Sequence, residues 1–295
     1  MVVKHTAKEW VFDICNIVFL AMLVLVFVYP MLYVLFASLS DPTELIKHRG
    51  ILLRPMGFSL EGYRLVFNAT FIRTGYLNTI FYVVAGTILN IFMSCLGAYV
   101  LSRKKLYIRR ALTMAVVFTM YFSGGLIPLY LTVRGLGLYN SRLALLLPVA
   151  INTWNLIVMR TSFSQVPNSL EEAATIDGAN DFIILFKVYI PVVKATIAVM
   201  VLFYAVQHWN SWFNAMIYLN NRQKYPLQLF LRELLLYSSM NNMGTSSMGS
   251  DYFNALTYNL IKYCAIIVST VPILCVYPFL QKYFTQGVMI GSVKE

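Results

Sequence analysis

From Ile14 to Leu39 the chain reads ICNIVFLAMLVLVFVYPMLYVLFASL, without one charged side chain. About 20 apolar helical residues suffice to cross the hydrocarbon core of a bilayer. Lys4 and Lys8 give the run a basic start, but it is too long for a secretory signal and no small-residue cleavage site follows it. It reads as a retained transmembrane helix. Five further stretches share its character, near 77–101, 111–132, 142–160, 195–219 and 256–284. Residues 1–295 are therefore expected to form one all-α, polytopic membrane domain of six spans. Neither an internal repeat nor a low-complexity tract interrupts this pattern.

Composition agrees. Hydrophobic residues make up 59% of the chain and charged residues 12%, about half the charged fraction of a soluble domain. Mean hydropathy is +0.68. A net charge of +11 would point to nucleic acid in a soluble domain, but no basic, solvent-exposed domain is present to use it. The charge instead flanks apolar runs, where it sets membrane orientation. Cys15, Cys95, Cys264 and Cys275 all fall inside apolar segments without metal-ligand spacing, and are expected to be small buried apolar residues.

Orientation follows from the loop Ser102–Arg110. It carries Arg103, Lys104, Lys105, Arg109 and Arg110 and no acid, which places it in the cytoplasm. With six spans, both termini then lie in the cytoplasm. The stretch 40–76 would be external despite Lys47, Arg49, Arg54, Arg64 and Arg73, which Asp41, Glu44 and Glu61 partly balance. Its Pro55, Gly57 and Gly62 predict turns and short interfacial helices.

The loop 161–194 reads as helix–turn–helix. Pro167 suits a first helical turn, and Ser169-Leu170-Glu171-Glu172 has capping-box spacing. Ala173 and Ala174 favour helix, and Gly178 supplies a left-handed residue to end it. A second apolar helix is expected from Phe182 to about Tyr189, stopping before Pro191.

Within this loop stand Glu172-Ala173-Ala174, three residues, Gly178, nine residues, then Val188-Tyr189-Ile190-Pro191. This resembles the EAA loop of binding-protein-dependent ABC permeases, with Val188 and Ile190 in place of the commoner Ile and Leu. Ile176-Asp177-Gly178-Ala179 also fits that pattern. The phrase Tyr121–Pro128 and the tail Gln281–Lys294 resemble the carbohydrate branch, as in the second permease subunit of maltose importers. The resemblance implies a type I importer permease in the bacterial inner membrane. Its partners would be a second permease, two ATP-binding subunits and an external solute-binding protein delivering an oligosaccharide. It further implies that Glu172, Ala173, Ala174, Ile176, Asp177, Gly178 and Pro191 couple to an ATPase. By the same resemblance, the tail, with Gln286, Gly287, Gly291 and Lys294, reaches between the ATPases. The plainer reading of Glu172 is that it only caps its own helix.

Polar residues within the spans are the remaining signal. The fifth span holds Gln207-His208-Trp209-Asn210-Ser211-Trp212-Phe213-Asn214, and the fourth holds Asn152, Trp154 and Asn155. Amides are costly in lipid and face a bundle interior or cavity. Aromatic faces with amide partners are sugar-binding chemistry, but an interfacial belt with interhelical amide bonds has the same composition. On a continuous helix Asn210 and Asn214 lie one turn apart. They are the candidates for the substrate path, with Asn152 and Asn155 on the fourth span as partners. Trp209 is a further candidate but diverges from Asn210 by about 100°, so only part of the cluster can line the path. His208 reads as a packing or hydrogen-bonding residue.

An ion-coupled sugar carrier is the rival reading. It needs an intramembrane carboxylate or broken-helix ion site, and the only acids near spans are Asp13 and Asp251. A membrane-embedded enzyme would need clustered His, Asp and Glu. The chain has no nucleophile triad, metal cluster or Gly-x-x-x-x-Gly-Lys-Ser/Thr loop, so ATP and Mg are expected to be bound by partner subunits.

Overall fold

The computed structural model describes residues 7–48, 50–104, 106–241, 260–276 and 278. They are helical almost throughout, with one isolated β-bridge between Ser40 and Phe58. Two compact units emerge. One takes the chain up to Ala69 with Glu233–Thr270; the other takes Thr70–Arg232 with the chain from Val271.

Helix α1 (Ala7–Ser38) runs unbroken through Pro30. Among the described residues none buries its apolar window, and Leu25 and Phe27 are more than two-thirds exposed. A helix apolar on every side needs an apolar solvent, and lipid supplies it. Two short helices follow in the punctuated stretch, α2 (Pro42–Lys47) and α3 (Glu61–Asn68). Asp41 caps α2 by accepting from the Thr43 and Glu44 N–H groups.

The second unit is built around α4 (Thr70–Ser102), long and apolar enough to cross a membrane. The expected third span is folded rather than straight: α5 (Arg109–Tyr121) and α6 (Leu126–Gly135) bend by 113°. The turn passes through Gly125 at φ +84°, a conformation that costs a side chain and suits glycine. The expected fourth span begins as two 3₁₀ turns, Arg142–Leu145 and Leu147–Val149, bent by 49° from α7 (Thr153–Phe163). Next come α8 (Asn168–Ile176) and α9 (Asp181–Val192), the latter turning by 89° into α10 (Lys194–Trp209).

The expected fifth span does not run straight on to 219. It breaks after Trp209 and resumes as α11 (Phe213–Tyr218). Beyond lie α12 (Leu227–Asn241) and α13 (Leu260–Val276), α13 covering part of the expected sixth span. Among the described residues, then, two helices pass as whole spans, three bent pairs pass as broken ones, and α13 is a shorter apolar helix.

Glycines on one face explain how the second unit closes. Gly75, Gly86 and Gly97 recur along α4 at three-turn spacing. A Cβ at Gly75 would crowd the Leu227 backbone, one at Gly86 the His208 ring, and one at Gly97 Leu156. Small residues let helices approach closely where lipid offers no hydrophobic drive to associate. Accordingly α4 packs chiefly against α10 and α7. Ser94 and Tyr204 share a buried 2.7 Å hydrogen bond between α4 and α10.

In the first unit the same device appears once. A Cβ at Gly62 would come within 2.6 Å of Cys264 Sγ, and that thiol donates to the Ser38 carbonyl at 3.3 Å. Cys95 and Cys264 are buried, as expected, but Cys15 and Cys275 are exposed on their helices. Apolar sequence around a cysteine does not imply burial by protein when lipid is the solvent.

Candidate functional site

The loop between α7 and α10 is closed by backbone geometry. Asp177 caps the C-terminus of α8, and Gly178 follows at φ +79°. The Gly178 N–H donates to Thr175 O at 3.1 Å and the Ala179 N–H to Ala174 O at 2.9 Å. This paired closure satisfies carbonyls the helix would leave open, and it needs a left-handed residue at position 178. Asn180 then starts α9, its side chain accepting from the Ile183 N–H at 2.9 Å.

Two details correct the expectations for this loop, and a third adds to them. The N-cap of α8 is Pro167, with no side-chain hydrogen bond, so Ser169 lies inside the helix and the capping box is not formed. Proline already fixes the extended entry there, and the box spacing is one of several phases the sequence allows. The second helix does not stop before Pro191. It widens to a π-helix over Ile184–Tyr189 and continues through Pro191 to Val192. Proline lacks an N–H and crowds the carbonyl four residues back, and a wider turn relieves both. Lastly, Glu172 is exposed, and Glu171 faces inward.

The helix is thus two-faced. Ala174 packs against the buried cluster containing Phe163, Leu185 and Tyr189. Glu172 and Ala173 are exposed, and Ile176 is 86% exposed. Phe182, 64% exposed, adds a second apolar group across the turn. Pro191 is also exposed. Inward, Glu171 accepts from Tyr189 OH at 2.7 Å and pairs with Arg103 at 3.2 Å. Sequence reasoning gave Arg103 only an orienting role, because no local rule brings the end of α4 to α8 and α9.

The residues proposed for a path are not assembled as one face. Asn152 is the N-cap of α7, its side chain accepting from the Asn155 N–H at 3.1 Å. That is a cap's role rather than a buried amide's. Asn155 is buried. Trp209 stands edge-on to Tyr76 at 6.2 Å. Asn210 caps the end of α10, is exposed, and donates to Val206 O at 3.0 Å. Because the helix breaks there, the one-turn relation of Asn210 to half-buried Asn214 fails. Among the described residues no hydrogen bond joins Asn152 or Asn155 to Asn210 or Asn214.

Two features beside the break were missed or undervalued. His208 Nε2 lies 2.6 Å from Asn90 Oδ1, and Asn90 Nδ2 donates to Val149 O at 2.5 Å. This ties α4, α10 and the turn before α7 together, the packing role the sequence implied for His208. Arg232 lies over the Trp212 ring at 3.6 Å and makes no ion pair among the described residues. Nor is there, among them, a group of three or more His, Cys, Asp or Glu able to hold a metal. Gln286, Gly287, Gly291 and Lys294 lie outside the described residues.

No family model matches the chain. It is 44% identical, over 97% of its length and 99% of the other's, to the polygalacturonan/rhamnogalacturonan transport system permease protein YtcP of Bacillus subtilis. It is 41% identical to protein LplC of the same organism, over 98% of this chain and 97% of that one. At 24% identity it is similar to the arabinooligosaccharides transport system permease protein AraQ of Bacillus subtilis, over 99% of each chain. Among solved structures, it superposes with a TM-score of 0.87 and 34% identity on a chain of a bacterial ABC transporter involved in the import of the acidic polysaccharide alginate. That match covers 95% of this chain and 99% of the other.

Proposed function

We propose, from the premise that this chain belongs to the permease subunits of carbohydrate ABC importers, that it couples to its ATPase through the exposed face of α8 and the turn at Gly178. As a family member it is an integral membrane subunit of an ATP-driven, binding-protein-dependent importer in the bacterial cell membrane. It is not itself an enzyme: hydrolysis is done by separate ATPase subunits.

The exposed apolar face carries the coupling reading. Ile176 and Phe182 are held outward on a loop where solvent would favour polar residues, and such a patch seeks a partner. Glu172, Ala173, Ala174, Asp177 and Pro191 complete the docking lever. We take the assembly as this chain, a second permease, two ATP-binding subunits holding ATP and Mg, and an external solute-binding protein. The whole chain acts as one six-span permease domain, with its tail at Gln286, Gly287, Gly291 and Lys294 reaching between the ATPases. ATP binding shifts the spans between inward- and outward-open states only through its different affinity for the two.

The cargo we propose is an acidic oligosaccharide. One relative is named for polygalacturonan and rhamnogalacturonan and the structural neighbour for alginate. Here a cation, Arg232, lies on an aromatic face beside the break in the fifth span. In the reconstituted complex, a galacturonate oligomer should stimulate ATP hydrolysis where a neutral maltooligosaccharide does not. The reverse preference would refute an acidic cargo and leave the coupling role standing.

We take both termini and the basic loop after α4 to lie in the cytoplasm. Ser102 is buried, so labelling should use fully exposed Tyr107 and exposed Asn220. Tyr107→Cys should react only from the cytoplasm and Asn220→Cys only from outside; the opposite pattern overturns the orientation. For the path, Asn210, Asn214, Trp209, Asn152 and Asn155 remain the proposed lining. Asn210→Ala should lower transport roughly fivefold, the worth of one ordinary hydrogen bond, with binding-protein affinity unchanged. Normal transport with a lower melting temperature would make the amide a helix cap only.

A further inference from the structure

Arg103 stands immediately after α4 and touches both arms of the loop. Its Nη2 lies 3.2 Å from Glu171 Oε1 on α8, and its Nη1 lies 3.3 Å from Asp181 Oδ1 on α9. Tyr99, one turn earlier on α4, donates to the same Asp181 oxygen at 3.1 Å. The Arg103 guanidinium also donates to the Tyr99 hydroxyl and lies 5.0 Å from its ring centroid. Tyr189, which donates to Glu171, stands edge-on to Tyr99 at 5.1 Å. A single cation therefore joins the end of the central helix to α8 and α9.

The two ion pairs are unequal. The Glu171 side chain is only 13% exposed and that of Asp181 is 70% exposed, against 22% for Arg103. An exposed pair contributes little in water. A sheltered one with further hydrogen bonds matters more, because removing one partner leaves the other charge buried without compensation. Arginine suits the position because its planar fork addresses two carboxylates at once, which the point charge of lysine does not.

We propose that Arg103 is a positioning residue that latches α8 and α9 to the cytoplasmic end of α4, so that loop and helix move as one body when the ATPases close. The latch rests on the coupling role above, and it assigns force transmission to Glu171 while Glu172 faces the partner. With the latch intact, displacement of α8 must carry α4. Without it, α8 can follow the ATPase while α4 stays behind.

The test uses the full complex with its partner permease, ATPases and binding protein, and it needs no knowledge of the cargo. Spin labels are placed at Val100→Cys on α4 and Ser169→Cys on α8, both exposed, in a chain whose exposed Cys15 and Cys275 are replaced by serine. Their distance is measured with and without a non-hydrolysable ATP analogue. With Arg103 present, one narrow distance should persist in both nucleotide states. In Arg103→Ala and in the near-isosteric Glu171→Gln, the ATPases should still co-purify. In both, the distance should broaden and shift when nucleotide binds, and Arg103→Lys should fall between. Combining Arg103→Ala with Glu171→Gln should add little to either alone, as for two partners of one interaction. A narrow, nucleotide-independent distance in Arg103→Ala and Glu171→Gln overturns the latch. Failure of the docking reading would show separately, as ATPase co-purification indifferent to Gly178→Pro.

Discussion

Gly178→Pro is expected to leave the chain in the membrane while ATPase co-purification and transport fall by about 100-fold, matching the roughly 3 kcal/mol cost of a misplaced proline. Two causes add. Proline fixes φ near −65°, and the native φ is +79°. It also removes the N–H that donates to Thr175 O, so the C-terminal closure of α8 loses a bond and its direction. Crowding is not the reason, because nothing among the described residues lies within 4 Å of a Cβ built at this glycine. A graded series checks this. Gly178→Ala meets only the left-handed strain of about 1–2 kcal/mol and should lose roughly tenfold. Gly178→Asn, better tolerated in that conformation, should lose less. Equal losses for Ala, Asn and Pro would mean that the position is contacted by the partner rather than set by its φ. Wild-type co-purification in Gly178→Pro would remove this loop from ATPase docking.

Gly86→Ala is expected to lower the melting temperature of the purified complex by several degrees, for an overpacking cost of about 1–3 kcal/mol. A Cβ there would overlap His208 Nε2, and the three nearest atoms all belong to that ring. The ring cannot yield without stretching the 2.6 Å contact to Asn90 Oδ1, in a site where both residues are buried. The expected signature is non-additive. His208→Ala alone costs the Asn90 contact, and Gly86→Ala added to it should cost little more, because the clashing atoms are gone. If Gly86→Ala costs the same with and without His208, the tight approach is to the helix backbone and the ring is incidental.

Much of the site was legible because some rules act locally. Gly178 announced a helix end, since few other residues take that φ cheaply. Pro191 announced a disturbance, though the sequence placed a stop where the chain makes a π-helix. Asn152 and Asn210 were read as amides in lipid, yet each sits at a helix end, where amides satisfy free backbone groups. Both misreadings come from spans assumed to be straight. Asn152 lies where the expected fourth span changes from 3₁₀ turns to α7, and Asn210 lies at a break at residues 210–212 in the expected fifth, neither of which the apolar pattern registers.

The sequence by itself determined that this chain lives in lipid and that a compact two-helix loop separates its fourth and fifth apolar segments. It also located the turn in that loop. These follow from composition, run length and the special backbone of glycine, none of which needs a neighbour. Only the tertiary structure decided which face of each helix is used. In soluble proteins an apolar stripe reveals the inward side, but α1 and α4 are apolar nearly all round, so hydropathy carries no phase. Phase is set instead by steric fit and by scarce polar contacts: glycines 75, 86 and 97 against their partner residues, His208 on Asn90, and Arg103 between Glu171 and Asp181. The choice of Glu171 over its neighbour Glu172 shows why. The two are identical in chemistry and about 100° apart on the helix, and only their tertiary neighbours, Arg103 at the end of α4 and the Tyr189 hydroxyl, distinguish them.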